Sequence, residues 1–176
     1  MLATSGWIEF AREKMKIREC ISLILSGRLH TGTMDRNGRV VELRISSDAA
    51  YLRLLRSTID QVCSLAGFSK MDSSKIVLAV DEACSNVIRH AYGNKSGLPI
   101  IITCHILPTK LEITMVDQGE AADVPSIKPR QLNDIRPGGL GVHIIRTVMD
   151  EVHYENLAVA GNRLVMAKYL PKEIKP

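Results

Sequence analysis

Apolar and polar positions along the chain follow two patterns, one typical of strands and one typical of helices. From residue 39 onward, some short runs alternate between apolar and polar side chains, and other segments carry apolar residues at helical spacing. The order of these runs predicts a β-α-α-β-β-loop-α-β-β chain. Since amphipathic helices need an apolar sheet face to pack against, we expect an α+β fold. It would be a two-layer sandwich, with the helices on one face of a mixed, mostly antiparallel sheet.

The same pattern predicts where each element begins and ends. The strands are expected at residues 40–45, 100–107, 111–116, 152–155 and 163–170, and the third helix at 139–149. The first helix is expected to follow an N-cap at residues 47–48 and to stop at Gly67. The second helix is expected to be capped by Asp72 or Ser73 and to run to about Tyr92.

Residues 1–38 lack this clear patterning. Their apolar side chains have only loosely helical spacing, and residues 31–38 have turn and linker chemistry. Two interpretations stay open. In the first, the segment is a helical appendage that packs on a partner or membrane surface. In the second, it is poorly ordered, or even upstream sequence translated ahead of a true start at Met34. The remainder, residues 39–172, is predicted to form one domain.

Composition and charge argue against one class of function. Hydrophobic residues make up 45 % of the 176 residues and charged residues 24 %, which is ordinary for a globular domain with a sizeable core. The net charge is +4, but the Lys and Arg residues are scattered and only 4 % of residues are aromatic. Nucleic-acid binding usually requires a concentrated basic stripe and exposed aromatic side chains, so we expect no direct contact with nucleic acid.

Neither a membrane span nor a secretion signal is predicted. No apolar run approaches the roughly 20 residues that cross a bilayer. Near the N-terminus, Glu19 interrupts the approach to the short apolar stretch 20–25, and no small-residue cleavage site follows. The four cysteines form no C-x-x-C pair and have no zinc-site spacing. We therefore expect reduced, mostly buried thiols in a cytoplasmic protein.

The second predicted helix carries the first candidate for chemistry. Its apolar stripe, which we expect to pack on the sheet, consists of Ile76, Val80, Val87 and Ala91. Glu82, Asn86 and His90 follow one another at intervals of four residues, away from that stripe. A carboxylate one turn before a carboxamide offers hard oxygen ligands for Mg²⁺, or a group that accepts a proton from a hydroxyl. Taken alone, the same spacing also fits a solvated polar face.

Asp117 and Gly119 form the second candidate, directly after the strand at 111–116. An aspartate at a strand end can direct its carboxylate into a cleft, and the glycine lets the backbone approach a flat ligand closely. Such an acceptor could take a hydrogen bond from an adenine amino group. A simple strand-ending turn explains the same residues equally well.

The third candidate is a glycine-rich segment that leads straight into the third helix. Arg136 and Pro137 precede Gly138-Gly139-Leu140-Gly141, with Val142 and His143 next. Glycines at a helix start present free N–H groups and the positive end of the helix dipole to an anion such as phosphate. The spacing matches neither a P-loop nor a Rossmann fingerprint. His143 lies among apolar residues and is expected to be a packed side chain.

Together, in this order, the three segments resemble the motifs of the GHKL ATPases. Glu82-x-x-x-Asn86 resembles their N box, Asp117-x-Gly119 their first glycine box and Gly139-x-Gly141 their second. Residues 81–92, 138–141 and 149–152 are similar to the anti-sigma-factor serine kinases within this superfamily, and the resemblance covers roughly residues 40–170.

This resemblance implies a Bergerat fold that holds ATP and Mg²⁺. Asn86 would bind Mg²⁺, and His90 would support the Asn86 side chain. Glu82 would act as the general base. Asp117 would bind the adenine amino group, with Gly119 beside it. The phosphate-binding residues would be Gly138, Gly139, Leu140, Gly141 and Val142. A lid at about residues 120–138 would close the site, with Arg136 or Arg130 near the γ-phosphate.

The resemblance also implies a function. The chain would be an anti-sigma factor and protein-serine kinase that binds a sigma factor, phosphorylates an anti-anti-sigma partner and forms a homodimer. One alternative is a module that binds ATP or ADP and switches partners without turnover. A second is the catalytic domain of a histidine kinase, which would need a long dimerising helical hairpin with a phosphoacceptor histidine. Residues 1–38 are too short for that hairpin.

Overall fold

The computed structural model describes residues 39–120, 140–157 and 161–171, and the segment 1–38 lies outside them. The main elements are β1 Arg39–Ser46, α1 Leu52–Leu65, α2 Lys70–Asn86, β2 Pro99–Ile106, β3 Lys110–Asp117, α3 Leu140–Val148, β4 Glu151–Asn156 and β5 Asn162–Tyr169. The predicted order and the α+β class are confirmed. Every strand boundary lies within one residue of its expected position.

The five strands form one sheet in the order β1-β2-β3-β5-β4. All four neighbouring pairs are antiparallel, so the expected mixed sheet is refined to a fully antiparallel one within the described strands. Strand β3 is central. Its last residue, Asp117, pairs with Ile100 of β2 on one side and with Asn162 of β5 on the other.

The hydrophobic core lies between the sheet and the helices. Alternate side chains of the strands are fully buried, as their period of two requires, and the apolar faces of the helices cover them. The largest of these buried side chains are Leu55, Ile59, Val62, Ile76, Val80, Ile100, Ile102, Leu111, Ile113, Met115, Ile145 and Met166. This burial fixes the face on which the helices lie.

Both predicted ends of the first helix are confirmed. Asp48 caps a short 3₁₀ turn, Ala49–Tyr51, that leads into α1, and its carboxylate accepts a hydrogen bond from Ala50 N at 2.8 Å. After α1, Gly67 has φ 84, and Phe68 N donates to Cys63 O at 3.1 Å. This left-handed glycine stop satisfies a carbonyl that the helix end would otherwise leave free.

The cap expected for the second helix was wrong. Ser69, not Asp72 or Ser73, is the N-cap: its hydroxyl accepts from Asp72 N at 3.1 Å and donates to the Asp72 carboxylate at 2.7 Å. The extended backbone of Ser69 lets its side chain reach the free N–H groups of the first turn. Asp72 therefore lies inside the helix, where its charge faces the positive end of the dipole.

The last turn of the second helical segment is wider than an α-helix. Val87–Ala91 forms a π-helical turn in which Tyr92 N donates to Val87 O at 2.9 Å. The buried face passes through Ile88, whereas Val87 and Ala91 are only half-buried. The apolar stripe predicted for one continuous α-helix therefore does not hold here. Such turns occur frequently at functional sites.

Three of the four cysteines belong to the core. Cys63, Cys84 and Cys104 are buried and free, and burial raises the pKa of each thiol to about 12. Cys20 lies outside the described residues. None of the helices in the described part of the chain is both long and apolar enough to cross a membrane.

Candidate functional site

One end of the candidate site lies along α2, where Glu82 contacts the start of α3. A Cβ atom placed on Gly141 would lie 2.1 Å from Glu82 Oε1 and 2.5 Å from its Cγ and Cδ, so any other residue would displace the carboxylate. Asn86 follows one turn later on α2 and is half-buried. The amino end of α3 therefore lies against the carboxylate that the sequence pattern singles out.

Arg89 reaches the same place, although the sequence analysis did not select it. Its Nη2 atom donates to Glu82 Oε1 at 2.9 Å and to Asn86 Oδ1 at 3.4 Å, and its Nε atom donates to Ser85 O at 3.3 Å. Seven residues make nearly two helical turns, so residue 89 lies closer to Glu82 around the helix than residue 90 does. The spacing between Glu82 and Arg89 could therefore have identified Arg89 from the sequence.

His90 does not join this group. It is exposed on the π-helical turn, and no hydrogen bond connects it to Asn86 within the described residues. The predicted support of Asn86 by His90 is therefore not seen in the geometry, and its role toward a ligand stays a prediction.

The other end of the site is built around Asp117. This carboxylate is only 4 % exposed, and its Oδ1 atom accepts hydrogen bonds from Gly119 N at 2.8 Å and from Asn162 Nδ2 at 3.0 Å. Burial raises the pKa of Asp117, and the two hydrogen bonds partly counter that rise. Since both donors contact Oδ1, the second carboxylate oxygen takes part in neither bond.

The hairpin residues that hold Asp117 were also missed from sequence. Gly161 has φ 102, and a Cβ atom there would lie 1.9 Å from Asp117 O, so the turn between β4 and β5 must carry glycine. Asn162 follows it and donates both to Asp117 and, at 3.0 Å, to Glu120 O. The position of these two residues opposite Asp117 depends on strand pairing, which no local sequence pattern specifies.

A third contact joins the π-helical turn Val87–Ala91, which follows α2, to the loop after β3. A Cβ atom on Gly119 would lie 2.5 Å from both Cβ and O of Ala91, and Glu120 N donates to Ala91 O at 3.2 Å. The buried Tyr92 hydroxyl accepts from Gln118 N at 2.8 Å and donates to Pro99 O at 2.5 Å. These contacts fix the backbone beside Asp117 to the end of α2.

The two ends of the site are thus connected by one helical segment. Glu82 and Ala91 are nine positions apart, which corresponds to roughly 13 Å of helical rise. Gly141 contacts the first of these residues and Gly119 contacts the second. An elongated ligand with an anionic end and a flat, hydrogen-bonding end would match this arrangement.

Part of the predicted site lies outside the described residues. This holds for the lid after Glu120, for its candidate arginines Arg130 and Arg136, and for Gly138 and Gly139. Leu140 is the first residue of α3, and Val142 is half-buried in its first turn. The roles assigned to them toward a ligand stay predictions.

The residues present fit a nucleotide and a magnesium ion. At the two ends of the helix segment, Gly119 and Gly141 let the loop after β3 and the start of α3 lie against Ala91 and Glu82, where any Cβ atom would collide. Among the described residues, no three His, Cys, Asp or Glu side chains are grouped as a metal site of their own. One amide oxygen, that of Asn86, suits Mg²⁺ when phosphates and water supply the other ligands.

Comparison with known proteins identifies the class. A family model described as the histidine kinase-like ATPase domain matches residues 45–168. The chain therefore belongs to the family of proteins that carry this domain. The blue-light-activated histidine kinase EL346 of Erythrobacter litoralis has the same fold: the TM-score is 0.50 at 18 % identity, over 71 % of this chain and 42 % of that one.

Similarity to individual proteins is higher elsewhere in the family. The chain is 35 % identical over 143 residues to serine-protein kinase RsbW of Staphylococcus aureus strain MRSA252, covering 76 % of this chain and 88 % of that protein. It is 28 % identical over 148 residues to serine-protein kinase RsbW of Bacillus subtilis strain 168, covering 80 % of this chain and 91 % of that protein. Both alignments span most of the described domain.

Proposed function

We propose that the chain is an ATP-dependent protein-serine kinase that binds a sigma factor and phosphorylates a serine of an anti-anti-sigma partner. The observation that carries the proposal is the position of the Glu82 carboxylate, held against Gly141 at the start of α3 with Asn86 one turn away. The family match and the relatives named as serine-protein kinases support it.

In this proposal, Asp117 and Gly119 bind the adenine end of ATP. The buried carboxylate accepts a hydrogen bond from the amino group of the base through the oxygen that Gly119 and Asn162 leave unused. Gly119 keeps the backbone after Asp117 against Ala91, where a Cβ atom would lie 2.5 Å from both Cβ and O of Ala91. The phosphates extend along α2 to the amino end of α3, where backbone N–H groups and the helix dipole stabilise negative charge.

Phosphoryl transfer then takes place beside Glu82. The serine Oγ of the partner forms a bond to the γ-phosphorus as the bond to the oxygen of ADP breaks, and Glu82 orients the hydroxyl and accepts its proton. Mg²⁺, when bound at Asn86, would neutralise charge on the phosphates. The remaining contribution of the protein is positioning, which the packing of Glu82 between two helices provides.

The product would change its affinity for the kinase. Phosphorylation adds a charge of roughly −1.5 to −2 to the serine of the partner, which alters any contact surface that includes it. A sigma factor and the unmodified partner would then compete for the kinase. A cytoplasmic homodimer is part of the proposal, on the grounds of family resemblance alone.

Replacing Glu82 with glutamine tests the proposal. Glu82→Gln should lower phosphate transfer from γ-labelled ATP to the purified anti-anti-sigma protein by about 100-fold or more, since a general base contributes at least that much. ATP binding, measured by calorimetry, should persist because the amide keeps the size of the side chain.

Asp81→Asn is the matched control. It removes a neighbouring carboxylate that pairs with Arg56 of α1 at 3.0 Å, and transfer should stay normal. Normal transfer by Glu82→Gln would show that the mechanism is wrong. Tight ATP binding by the wild-type protein without any transfer would instead indicate a nucleotide-controlled binding module.

A further inference from the structure

Arg89 forms an ion pair that has an unusual position for a surface contact. Its Nη2 atom lies 2.9 Å from Glu82 Oε1 and 3.4 Å from Asn86 Oδ1, so one guanidinium nitrogen bridges the two polar residues at the Glu82 end of the candidate site. The Nε atom is fixed in turn by Ser85 O at 3.3 Å. Three oxygen atoms of one helix face therefore hold the guanidinium in place.

Stability does not account for this arrangement. The Arg89 side chain is 51 % exposed and that of Glu82 is 25 % exposed, and ion pairs at such exposure contribute little to folding. What the pair does constrain is the Glu82 rotamer. Its Oε1 atom accepts the hydrogen bond from the guanidinium and also lies where a Cβ atom on Gly141 would collide with it.

We infer that Arg89 is a positioning residue that holds the Glu82 carboxylate in the place from which it accepts the proton of the substrate hydroxyl. The inference rests on the proposed kinase function. Without Arg89, Glu82 would keep its packing against Gly141 but would lose the partner that fixes its Oε1 atom. The carboxylate would then occupy several rotamers, only some of which reach the hydroxyl.

The test is a kinetic comparison of Arg89→Ala with the wild-type protein. The variant should lower kcat for phosphate transfer by about 10- to 100-fold, which is the range expected when a reacting group is misplaced by about 1 Å. The KM for ATP, and its Kd measured by calorimetry, should change far less than kcat, because the contact of Arg89 with Asn86 Oδ1 is long at 3.4 Å. Arg89→Lys should recover part of the lost kcat, since an ammonium group can still pair with Glu82. Added methylguanidinium should also raise the kcat of Arg89→Ala but leave the wild type unaffected.

Arg56→Ala is the matched control, because Arg56 pairs with Asp81, the residue next to Glu82, at 3.0 Å and with a similar exposure of 46 %. It should leave kcat unchanged. An unaltered kcat in Arg89→Ala, or a loss that appears only in the affinity for ATP, would overturn the inference. If Glu82→Gln still abolishes transfer in that case, the proposed function stands and only the role of Arg89 is wrong. Failure of the wild-type protein to transfer phosphate would instead count against the function itself.

Discussion

Asp117 shows at the level of one residue how folding prepares a binding group. Burial raises the pKa of Asp117, so this carboxylate takes up a proton at a higher pH in the folded protein than in the unfolded chain. The charged carboxylate therefore lowers the free energy of unfolding at neutral pH. This destabilisation decreases as the pH falls through the folded-state pKa and is gone below the pKa of the unfolded chain. Hydrogen bonds from Gly119 and Asn162 offset part of this destabilisation. A buried, strand-end carboxylate of this kind is typical of a functional group.

Exchanging this carboxylate for an amide should change the preference between nucleotides. In Asp117→Asn, the donors Gly119 N and Asn162 Nδ2 would keep the amide oxygen, so the amide nitrogen would take the place of the free carboxylate oxygen. ATP should bind about 10- to 100-fold more weakly, as expected for losing a hydrogen bond to a charged acceptor. GTP, which presents an oxygen where ATP presents an amino group, should bind more tightly than it does to the wild type. Calorimetry with both nucleotides measures this, and an unchanged ratio of affinities would contradict adenine recognition by Asp117.

Residues selected from sequence were those whose role follows from local pattern. Glu82, Asn86, Asp117 and Gly119 lie in short motifs at a helix face or a strand end, and the structure places them at two ends of one helical segment. The spacing of seven residues between Glu82 and Arg89 was equally visible in the sequence, but His90 was selected instead. The position of Asn162 opposite Asp117 depends on the pairing of β3 with β5, which no local pattern specifies.

At the level of elements, the strands were easier to predict than the helix ends. Strict alternation marks a half-buried strand along its whole length, so all five were found. The start of α2 was misplaced because Ser69, Asp72 and Ser73 are all good capping residues by type, and only the backbone shows which one is extended. The π-helical turn at Val87–Ala91 has no periodicity signal, since it inserts a single wider turn into a helix.

The contact between the end of α2 and the loop after β3 allows a test at this level. In Gly119→Ala, the new Cβ atom would lie 2.5 Å from both Cβ and O of Ala91, so the loop that follows Asp117 must move away from the helical turn. We expect ATP affinity to fall about 10-fold or more, since displacing a charged hydrogen-bonding partner removes its contribution. Gly119→Ala combined with Ala91→Gly should not restore binding, because the carbonyl oxygen of residue 91 remains. Full recovery in the double variant would show that side-chain contact alone sets the spacing.

For the molecule as a whole, the sheet and the helical layer have separate tasks. The antiparallel sheet supplies the rigid frame, and Asp117 lies at the end of its central strand β3. The helices of the described residues cover one face of the sheet. The candidate site follows α2 from its contact with α3 to the π-helical turn Val87–Ala91, which contacts the loop after β3. Fold class was predictable from sequence because every element buries an apolar face, whereas the site depends on contacts between elements that are distant in the chain.

The thiols of the core give a test of the whole fold at alkaline pH. Burial raises the pKa of Cys104 from 9.0 to about 12, so between these values the folded protein retains a proton that the unfolded chain releases. The free energy of unfolding should therefore decrease as the pH rises, by up to about 1.4 kcal/mol per pH unit for this one thiol. In Cys104→Ala that part of the slope should disappear, although the variant should be less stable than the wild type below about pH 9 because it leaves a small cavity. Thr103→Ala, on the opposite face of the same strand, is the control and should keep the slope of the wild type. Urea unfolding followed by circular dichroism from about pH 8 to about pH 11 measures these slopes, and equal slopes for Cys104→Ala and the wild type would show that the thiol is not buried in the folded protein.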